Sequence, residues 1–324
     1  MSAFEVPPKV QGGDQRRRQN LCVTNPTLRV FPVFQCFQQI VTKTVNEYNL
    51  KVHRGSAYRC VVEVLTTLAS PDGSCSVKVA TWVKDSYALV IGASAYRAGW
   101  PLLPGTLTDM EAVSRILQQQ GFKVTQVADP DHAQLRKAFD DFIVEHGQEP
   151  QNRLLFYFAG HGDTRKLSYG QEMGYLVPVD APLYEQDTKG FLQKALDMQQ
   201  IEVYARRIQA KHALFMFDSC FSGSLFSLSR AAPSEISRKT AQPVRQFITS
   251  GAAEEIVSDR SVFRDQFLAA LQGEADYNHD GYVTGSELGS FLQDKVAGYS
   301  RNAQHPQYGK LRDPMLDKGD LVFV

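Results

Sequence analysis

A chain of 324 residues with 43% hydrophobic content can bury a substantial core, and its length favours about two domains. The 35 Lys and Arg residues balance the 35 Asp and Glu residues, so no overall field favours nucleic acid or an anionic membrane as a partner. No apolar segment approaches the roughly 18 residues that span a bilayer, and residues 1–18 carry no apolar signal segment. The five cysteines include no CxxC pair, which argues against zinc or a disulfide framework and favours a reducing compartment. Together with the lack of a membrane-spanning segment, this predicts a soluble, cytoplasmic protein.

Residues 1–85 form the first predicted unit. Residues 1–20 are polar, as in a disordered arm, whereas segments typical of β-strands follow between Leu28 and Val83. A turn at residues 71–73 separates the last two segments and predicts a hairpin. The sequence therefore predicts an N-terminal arm and a small β-rich accessory region, without indicating its role.

Residues 86–324 alternate apolar runs with amphipathic ones and predict the main domain. The runs typical of buried strands are 87–92, 122–127, 154–158, 213–217 and 246–250, and a last strand is predicted at 321–324. Helices are predicted at 109–120, 132–145, 198–210 and 261–271, and a polar, exposed loop at 224–243. This alternation predicts an α/β fold with an open, mostly parallel sheet and helices on both faces.

Two of the predicted strands end in residues with reactive side chains. One leads into a Gly-His161-Gly box and the other into an Asp218-Ser-Cys220 box. Because ligands bind outside the carboxyl ends of parallel strands, we expect His161 and Cys220 to lie at one edge of the sheet. A thiol attacks a carbonyl as the thiolate, which an imidazole generates by taking the proton. The pair therefore predicts nucleophilic catalysis.

The two boxes resemble those of the caspase-like cysteine peptidases, specifically the bacterial metacaspase and orthocaspase branch. The resemblance covers residues 86–324, and the spacing of the boxes fits a His roughly 50 residues upstream of the Cys. It implies a cysteine endopeptidase in which His161 is the general base and Cys220 the nucleophile. The backbone N–H groups of Gly162 and Cys220 are then expected to form the oxyanion hole.

The resemblance also implies a pocket for the residue before the scissile bond. In metacaspase-like enzymes two acids line it, here Asp218 and Asp109, and two carboxylates would attract Arg or Lys. For Asp109 the alternative is an ordinary acid at a helix N-terminus. With a basic preference, the enzyme is expected to cut itself in the loop at 224–243, which contains three basic residues.

Residues 276–287 match the twelve-residue calcium loop of an EF-hand. The predicted ligands, at positions 1, 3, 5, 7, 9 and 12 of the loop, are Asp276, Asn278, Asp280, Tyr282, Thr284 and Glu287. Because EF-hands normally pair and one loop is found, a loop that only caps a helix is the alternative. The calcium cluster usual in metacaspases is in doubt, since Ser227 stands where an acid is expected. We predict modulation by Ca²⁺ through residues 276–287, and no organic cofactor.

Two other interpretations of the sequence stay open. One is a non-catalytic, calcium-responsive interaction module on a caspase-like fold, and the other is a legumain-like or separase-like peptidase of the same clan. The expected partners are proteins or peptides with basic residues, with no nucleic acid and no membrane. The sequence makes no prediction about the oligomeric state.

Overall fold

The structure, a computed structural model, describes residues 83–220, 241–252, 255 and 261–323. It also describes five strands of three residues each, at Ser2–Phe4, Val52–Arg54, Thr67–Ala69, Cys75–Val77 and Phe226–Leu228. The chain divides into two compact units, Met1–Ala80 and Thr81–Val324. No helix of the described residues is long and apolar enough to cross a membrane.

The first unit contains two antiparallel strand pairs. Strand β1 (Ser2–Phe4) pairs with β2 (Val52–Arg54), and β3 (Thr67–Ala69) pairs with β4 (Cys75–Val77). Residues 2–4 of the predicted arm thus form a strand, because a strand about fifty residues later in the chain pairs with their backbone. The turn predicted at residues 71–73, between β3 and β4, lies outside the described residues.

The second unit alternates strands and helices. Its elements are, in chain order, β5 (Ser86–Gly92), α1 (Gly105–Gln119), β6 (Lys123–Ala128), α2 (His132–His146), β7 (Arg153–Ala159), β8 (Gly162–Lys166), β9 (Glu172–Leu176), α3 (Thr188–Lys194), β10 (Leu196–Asp197), α4 (Met198–Arg207), β11 (His212–Cys220), β12 (Phe226–Leu228), β13 (Val244–Gly251), α5 (Val262–Ala269), β14 (Val283–Thr284), α6 (Gly285–Tyr299), β15 (Gln307–Leu311) and β16 (Val322–Phe323). A π-helical segment, Ala270–Glu274, continues α5.

A seven-stranded sheet with the order β12-β15-β13-β11-β7-β5-β6 forms the centre of this unit. Strands β13, β11, β7, β5 and β6 run parallel, and β15 runs antiparallel to both β13 and β12. All residues of β7 and β13 are buried, as expected for strands covered on both faces. One hydrophobic cluster packs the sheet against α2 and α4, and the other packs it against α1, α5 and α6. The predicted α/β fold with a mostly parallel sheet is confirmed.

Three local predictions differ from the structure. The segment after His161, where no strand is predicted, is a β8–β9 hairpin that forms a small sheet with β10. Phe226–Leu228 is a strand inside the predicted loop at 224–243, because the unpredicted strand β15 offers it a partner. Helix α1 begins at Gly105, one turn before the predicted start, so Asp109 lies in its second turn.

Candidate active site

The two predicted catalytic residues lie at the ends of neighbouring strands. In the register of β7 and β11, Ala159 lies opposite Asp218, and His161 and Cys220 each follow that pair by two residues. The hydroxyl of Ser219 links the two strand ends by donating to the carbonyl oxygen of Gly160 at 2.8 Å. Adjacent strands are about 4.8 Å apart, so the ends of β7 and β11 that lead to His161 and Cys220 lie side by side.

Strand β11 becomes irregular just before the cysteine. Its register with β13 shifts between Phe217 and Cys220, and Cys220 pairs with Gly251. Irregularities of this kind redirect a strand next to an active site. The irregularity thus falls directly before the predicted nucleophile.

Tyr96, from the loop after β5, holds the backbone of His161. Its hydroxyl accepts a hydrogen bond from the N–H of His161 at 2.7 Å and donates to the carbonyl of Val177 at 3.0 Å. The rings of Tyr96 and Trp100 lie 4.6 and 5.0 Å from the imidazole, between centroids. A Cβ atom at Gly160 would lie only 2.7 Å from the Tyr96 oxygen, which explains the glycine before the histidine.

A backbone carbonyl determines which ring nitrogen of His161 carries the hydrogen. Nε2 of His161 lies 2.9 Å from the carbonyl oxygen of Pro101, and since a carbonyl can only accept, Nε2 carries the hydrogen. In the neutral ring, Nδ1 is then the nitrogen that can take a proton. Burial lowers the pKa of His161, although the hydrogen bond to Pro101 opposes this shift. His161 is therefore neutral at pH 7 and can act as a base.

Gly162, the other predicted oxyanion donor besides Cys220, directly follows the histidine and begins β8. It pairs with Leu176 of β9, and the carbonyl of His161 accepts a hydrogen bond from the N–H of Val177 at 3.0 Å. The β8–β9 hairpin thus anchors the backbone just after the imidazole. Strand β8 also contacts β11, whose last residue is Cys220.

Asp218 is buried, with a side chain that is only partly satisfied. Its Oδ2 accepts hydrogen bonds from the hydroxyls of Tyr157 at 3.0 Å and Ser261 at 2.5 Å, whereas Oδ1 has no partner among the described residues. The hydroxyl of Ser250 is near enough to lower the pKa of Asp218, but no hydrogen bond of ordinary geometry joins them. Burial outweighs these contacts and raises the pKa of Asp218.

Asp109, the second predicted acid of the pocket, is buried. It is 4% exposed, and its Oδ1 lies 3.1 Å from Nη1 of Arg264 on α5. Burial raises the pKa of Tyr157 most, and the charges of Asp218 and Asp109 raise it further. The alternative of a helix N-terminal acid is wrong, because Asp109 lies in the second turn of α1 and forms a buried ion pair.

The structure adds Ser261 and Arg264, which the sequence did not single out. Ser261 caps α5 by accepting a hydrogen bond from the N–H of Arg264 at 2.8 Å while it donates to Asp218. A serine before a helix and an arginine within it are ordinary features of an amphipathic helix. Their sequence carries no signal of a role at the site, because the contacts join residues far apart in the chain.

The calcium-like loop connects α5 and its π-helical continuation to α6. His279 and Gly281 have φ values of 56° and 82°, which places the turn at the predicted glycine. The carboxylate of Asp276 accepts hydrogen bonds from the N–H groups of Asp280 and Gly281 at 3.1 and 2.9 Å. Val283, in β14, pairs with β16, so the short strand of this loop is partnered by the end of the described chain.

Glu287, the predicted last ligand of this loop, caps α6. Its carboxylate accepts from the N–H and hydroxyl of Thr284 at 2.9 and 2.8 Å, and from the amide of Asn278 at 3.1 Å. Burial raises the pKa of Glu287, and the charges of Asp280 and Asp276 act in the same direction. Across the described ranges, no group of three or more His, Cys, Asp or Glu side chains is placed to hold a metal ion.

Comparison with known proteins identifies the class of this domain. Residues 85–314 match the family model of the caspase domain, the peptidase family C14. The chain therefore belongs to the caspase-domain family, whose members are of the cysteine-peptidase kind.

Individual relatives cover smaller parts of the chain. The human mucosa-associated lymphoid tissue lymphoma translocation protein 1 is 32% identical over 126 residues, and its mouse homologue is 31% identical over 128 residues. These matches cover 39% of this chain, which spans only 14% of the length of either relative. Caspase-1 from Spodoptera frugiperda superposes with a TM-score of 0.49 at 16% identity, covering 72% of this chain and 89% of that chain. A protein from Geobacter sulfurreducens superposes with a TM-score of 0.48 at 15% identity, covering 72% and 97%.

Proposed function

We propose that this chain is a cysteine endopeptidase that hydrolyses peptide bonds after Arg or Lys. The observation that carries this proposal is the register of β7 and β11, in which Ala159 lies opposite Asp218, so that His161 and Cys220 each follow this pair by two residues. A neutral imidazole whose Nε2 is tied to Pro101 supports the base role of His161. Within the caspase-domain family, the Gly-His-Gly and Asp-Ser-Cys boxes favour the metacaspase and orthocaspase branch.

In the proposed mechanism His161 first accepts a proton from Cys220 and later gives it to the leaving group. Nδ1 of His161 takes the proton of the Cys220 thiol, and the thiolate attacks the peptide carbonyl. The N–H groups of Gly162 and Cys220 stabilise the oxyanion, and the imidazolium returns the proton to the leaving amine. Water then hydrolyses the acyl-enzyme, with His161 again acting as the base.

The basic preference rests on the two buried carboxylates. The charges of Asp218 and Asp109 both raise the pKa of Tyr157, and Oδ1 of Asp218 has no protein partner among the described residues. A guanidinium or ammonium group would supply the missing donor through a charge-assisted hydrogen bond. An acidic side chain would instead meet like charge there.

A fluorogenic panel tests this function. Peptides that differ only in Arg, Lys, Asp or Asn before the scissile bond are compared, with Cys220→Ala as the blank. We expect turnover of the Arg and Lys peptides and little of the others. Turnover of the Asn peptide alone would favour a legumain-like enzyme, and no turnover of any peptide by the folded protein would favour the non-catalytic module.

The pH profile of the reaction should report His161. Since burial lowers the pKa of His161, the imidazole stays neutral down to a pH below the ordinary histidine value of about 6.5. Below its pKa the ring is protonated and cannot take the thiol proton, so kcat/KM should fall on acidification, with a midpoint below about 6.5. The measurement is kcat/KM for an Arg peptide from about pH 5 to about pH 8. An acid limb centred above pH 7 would contradict the assignment.

We also propose that Ca²⁺ binds residues 276–287. The proposal is supported by a donor set that is all oxygen, by the formed turn, and by the two backbone N–H groups that orient Asp276. The ligands would be Asp276, Asn278, Asp280, the backbone carbonyl of Tyr282, Thr284 and Glu287. The ion would supply positive charge among these acids. A conformational change in the loop would be transmitted to Asp218 through α5, because this helix follows Ser261, which hydrogen-bonds Asp218, and leads toward the loop.

Glu287→Gln should remove the response to Ca²⁺. Glutamine can keep the helix cap with Thr284, but it loses the charge that a bidentate calcium ligand provides. For the wild type we expect a higher Tm in Ca²⁺ than in EDTA, corresponding to about 2.7 kcal/mol at 100 times Kd. The control is Asp294→Asn on the same helix, whose side chain is 75% exposed. An equal calcium response in Glu287→Gln would show that the loop only caps the helix.

Self-processing is a further part of the proposal. Arg230, Arg238 and Lys239 lie in the loop at 224–243, outside the described residues. If the enzyme cuts after basic residues, fragments ending at these positions should accumulate in the purified wild type and be absent in Cys220→Ala. Intact mass spectrometry, with EDTA or with Ca²⁺, measures this. A cytoplasmic location and the absence of an organic cofactor stay predictions from the sequence.

A further inference from the structure

Arg264 already pairs with one of the two acids assigned to the substrate. Its Nη1 lies 3.1 Å from Oδ1 of Asp109, and its Nη2 lies 3.0 Å from Oδ1 of Asp265. Asp109 is buried, whereas the side chain of Asp265 is 41% exposed. The guanidinium therefore spans an inner acid and an outer, solvent-facing acid.

Two buried polar atoms in this region lack hydrogen-bond partners within the described ranges. Nε of Arg264 and Oδ1 of Asp218 are both buried without a hydrogen-bond partner in the part of the chain that the structure describes. Buried polar atoms are normally satisfied in a site that serves only stability. Arg264 and the hydroxyl of Ser250, which also lacks a partner among the described residues, are both near enough to lower the pKa of Asp218, so this group of side chains keeps hydrogen-bonding capacity for a ligand.

We propose that Arg264 is a specificity-determining residue that guards the pocket for basic side chains: its guanidinium occupies the place at Asp109 that the Arg or Lys of a substrate takes. This inference rests on the proposed cleavage after basic residues. When substrate binds, its cation replaces Arg264 at Asp109 and also meets the unpartnered oxygen of Asp218. Arg264 keeps its contact with Asp265 and turns toward solvent.

The charges of the site favour exchange over simple addition. Asp109, Asp218 and Arg264 together carry at most one net negative charge, so the pocket attracts a cation less than two carboxylates would. A second guanidinium placed beside Arg264 at Asp109 would meet like charge. In the exchange, Asp109 and Arg264 each keep an oppositely charged partner, so no bare charge is buried. The guard thus lowers the affinity of the pocket for a basic side chain.

Arg264→Gln should therefore strengthen the preference for a basic residue. The test compares kcat/KM for a peptide with Arg before the scissile bond and for its neutral isostere with citrulline. We expect the Arg-to-citrulline ratio to rise about tenfold, mainly through a lower KM for the Arg peptide. Agmatine, a small guanidinium compound, should inhibit the variant about tenfold more tightly than the wild type. Arg264→Lys keeps the charge and should stay close to the wild type.

Controls separate the guard from general effects. Arg206→Gln removes an arginine that pairs with Glu202 on the surface of α4 and should leave the ratio unchanged. If Arg264→Gln does not fold, Arg264→Gln combined with Asp109→Asn removes both buried charges, and agmatine should then bind no better than to the wild type.

The outcomes distinguish the guard from the proposed function. Wild-type cleavage after Arg with an unchanged or lower ratio in Arg264→Gln would overturn the guard and leave the function standing. A lower ratio would mean that Arg264 instead positions Asp109 for the substrate. Cleavage after Arg by Arg264→Gln but not by the wild type would support the guard, while showing that the unmodified chain is not itself active on such peptides. If no form of the folded protein cleaves Arg peptides and agmatine binds none of them, both ideas fail.

Discussion

Cys220→Ala should abolish hydrolysis of Arg peptides, by about 10³-fold or more, and leave the unfolding temperature nearly unchanged. The thiol supplies the nucleophile, whereas exchanging it for a methyl group removes little buried area. Initial rates on the Arg peptide and thermal unfolding measure the two effects. Cys75→Ala, which removes a thiol from β4 in the first unit, is the matched control and should keep full activity.

His161→Ala should cause a loss of similar size, because the base and the nucleophile act as one unit. The double variant should then be little slower than either single variant. A double variant far slower than both would show that the two side chains act independently. Wild-type turnover by Cys220→Ala would rule out this cysteine as the nucleophile.

Asp218→Asn should lower kcat/KM for Arg peptides by about 10-fold to 100-fold, the size of one charge-assisted hydrogen bond. Asparagine keeps an acceptor for the hydroxyls of Tyr157 and Ser261 and removes the charge, so the change in Tm should be small. Asp218→Ala would instead leave two buried hydroxyls without an acceptor, which costs about 1–3 kcal/mol for each. The asparagine variant therefore separates substrate binding from folding.

Asp109→Asn should lower kcat/KM for Arg peptides by a smaller factor than Asp218→Asn does, because Arg264 already offsets the charge of Asp109. Asp141→Asn, at an exposed acid of α2, serves as the control with no expected effect. The measurement is kcat/KM for peptides with Arg, citrulline and Asp before the scissile bond, beside thermal unfolding. If the preference of Arg over Asp survives in Asp218→Asn, the pocket for the basic residue lies elsewhere.

Much of this architecture could be predicted from the sequence, because the patterns that indicate it are local. Buried parallel strands are continuous apolar runs, so the central strands could be placed to within a few residues. The carboxyl ends of such strands meet at one edge, so the position of His161 and Cys220 at one edge of the sheet could be expected from the sequence, whereas the adjacency of their strands could not. The turn at Gly281 and the cap between Thr284 and Glu287 also follow from residue types at fixed spacing.

Other features depended on contacts between distant residues. The Nε2 hydrogen bond of His161 goes to the carbonyl of Pro101, and since every residue has a carbonyl, no residue type marks this partner. Strand β12 was missed because its partner β15, some eighty residues later in the chain, has no clear apolar alternation. The ion pair of Asp109 with Arg264 forms only when α1 and α5 pack on the same face of the sheet. Local sequence patterns thus place the reactive residues on their strands, whereas the packing of distant helices and loops decides their protonation and charge.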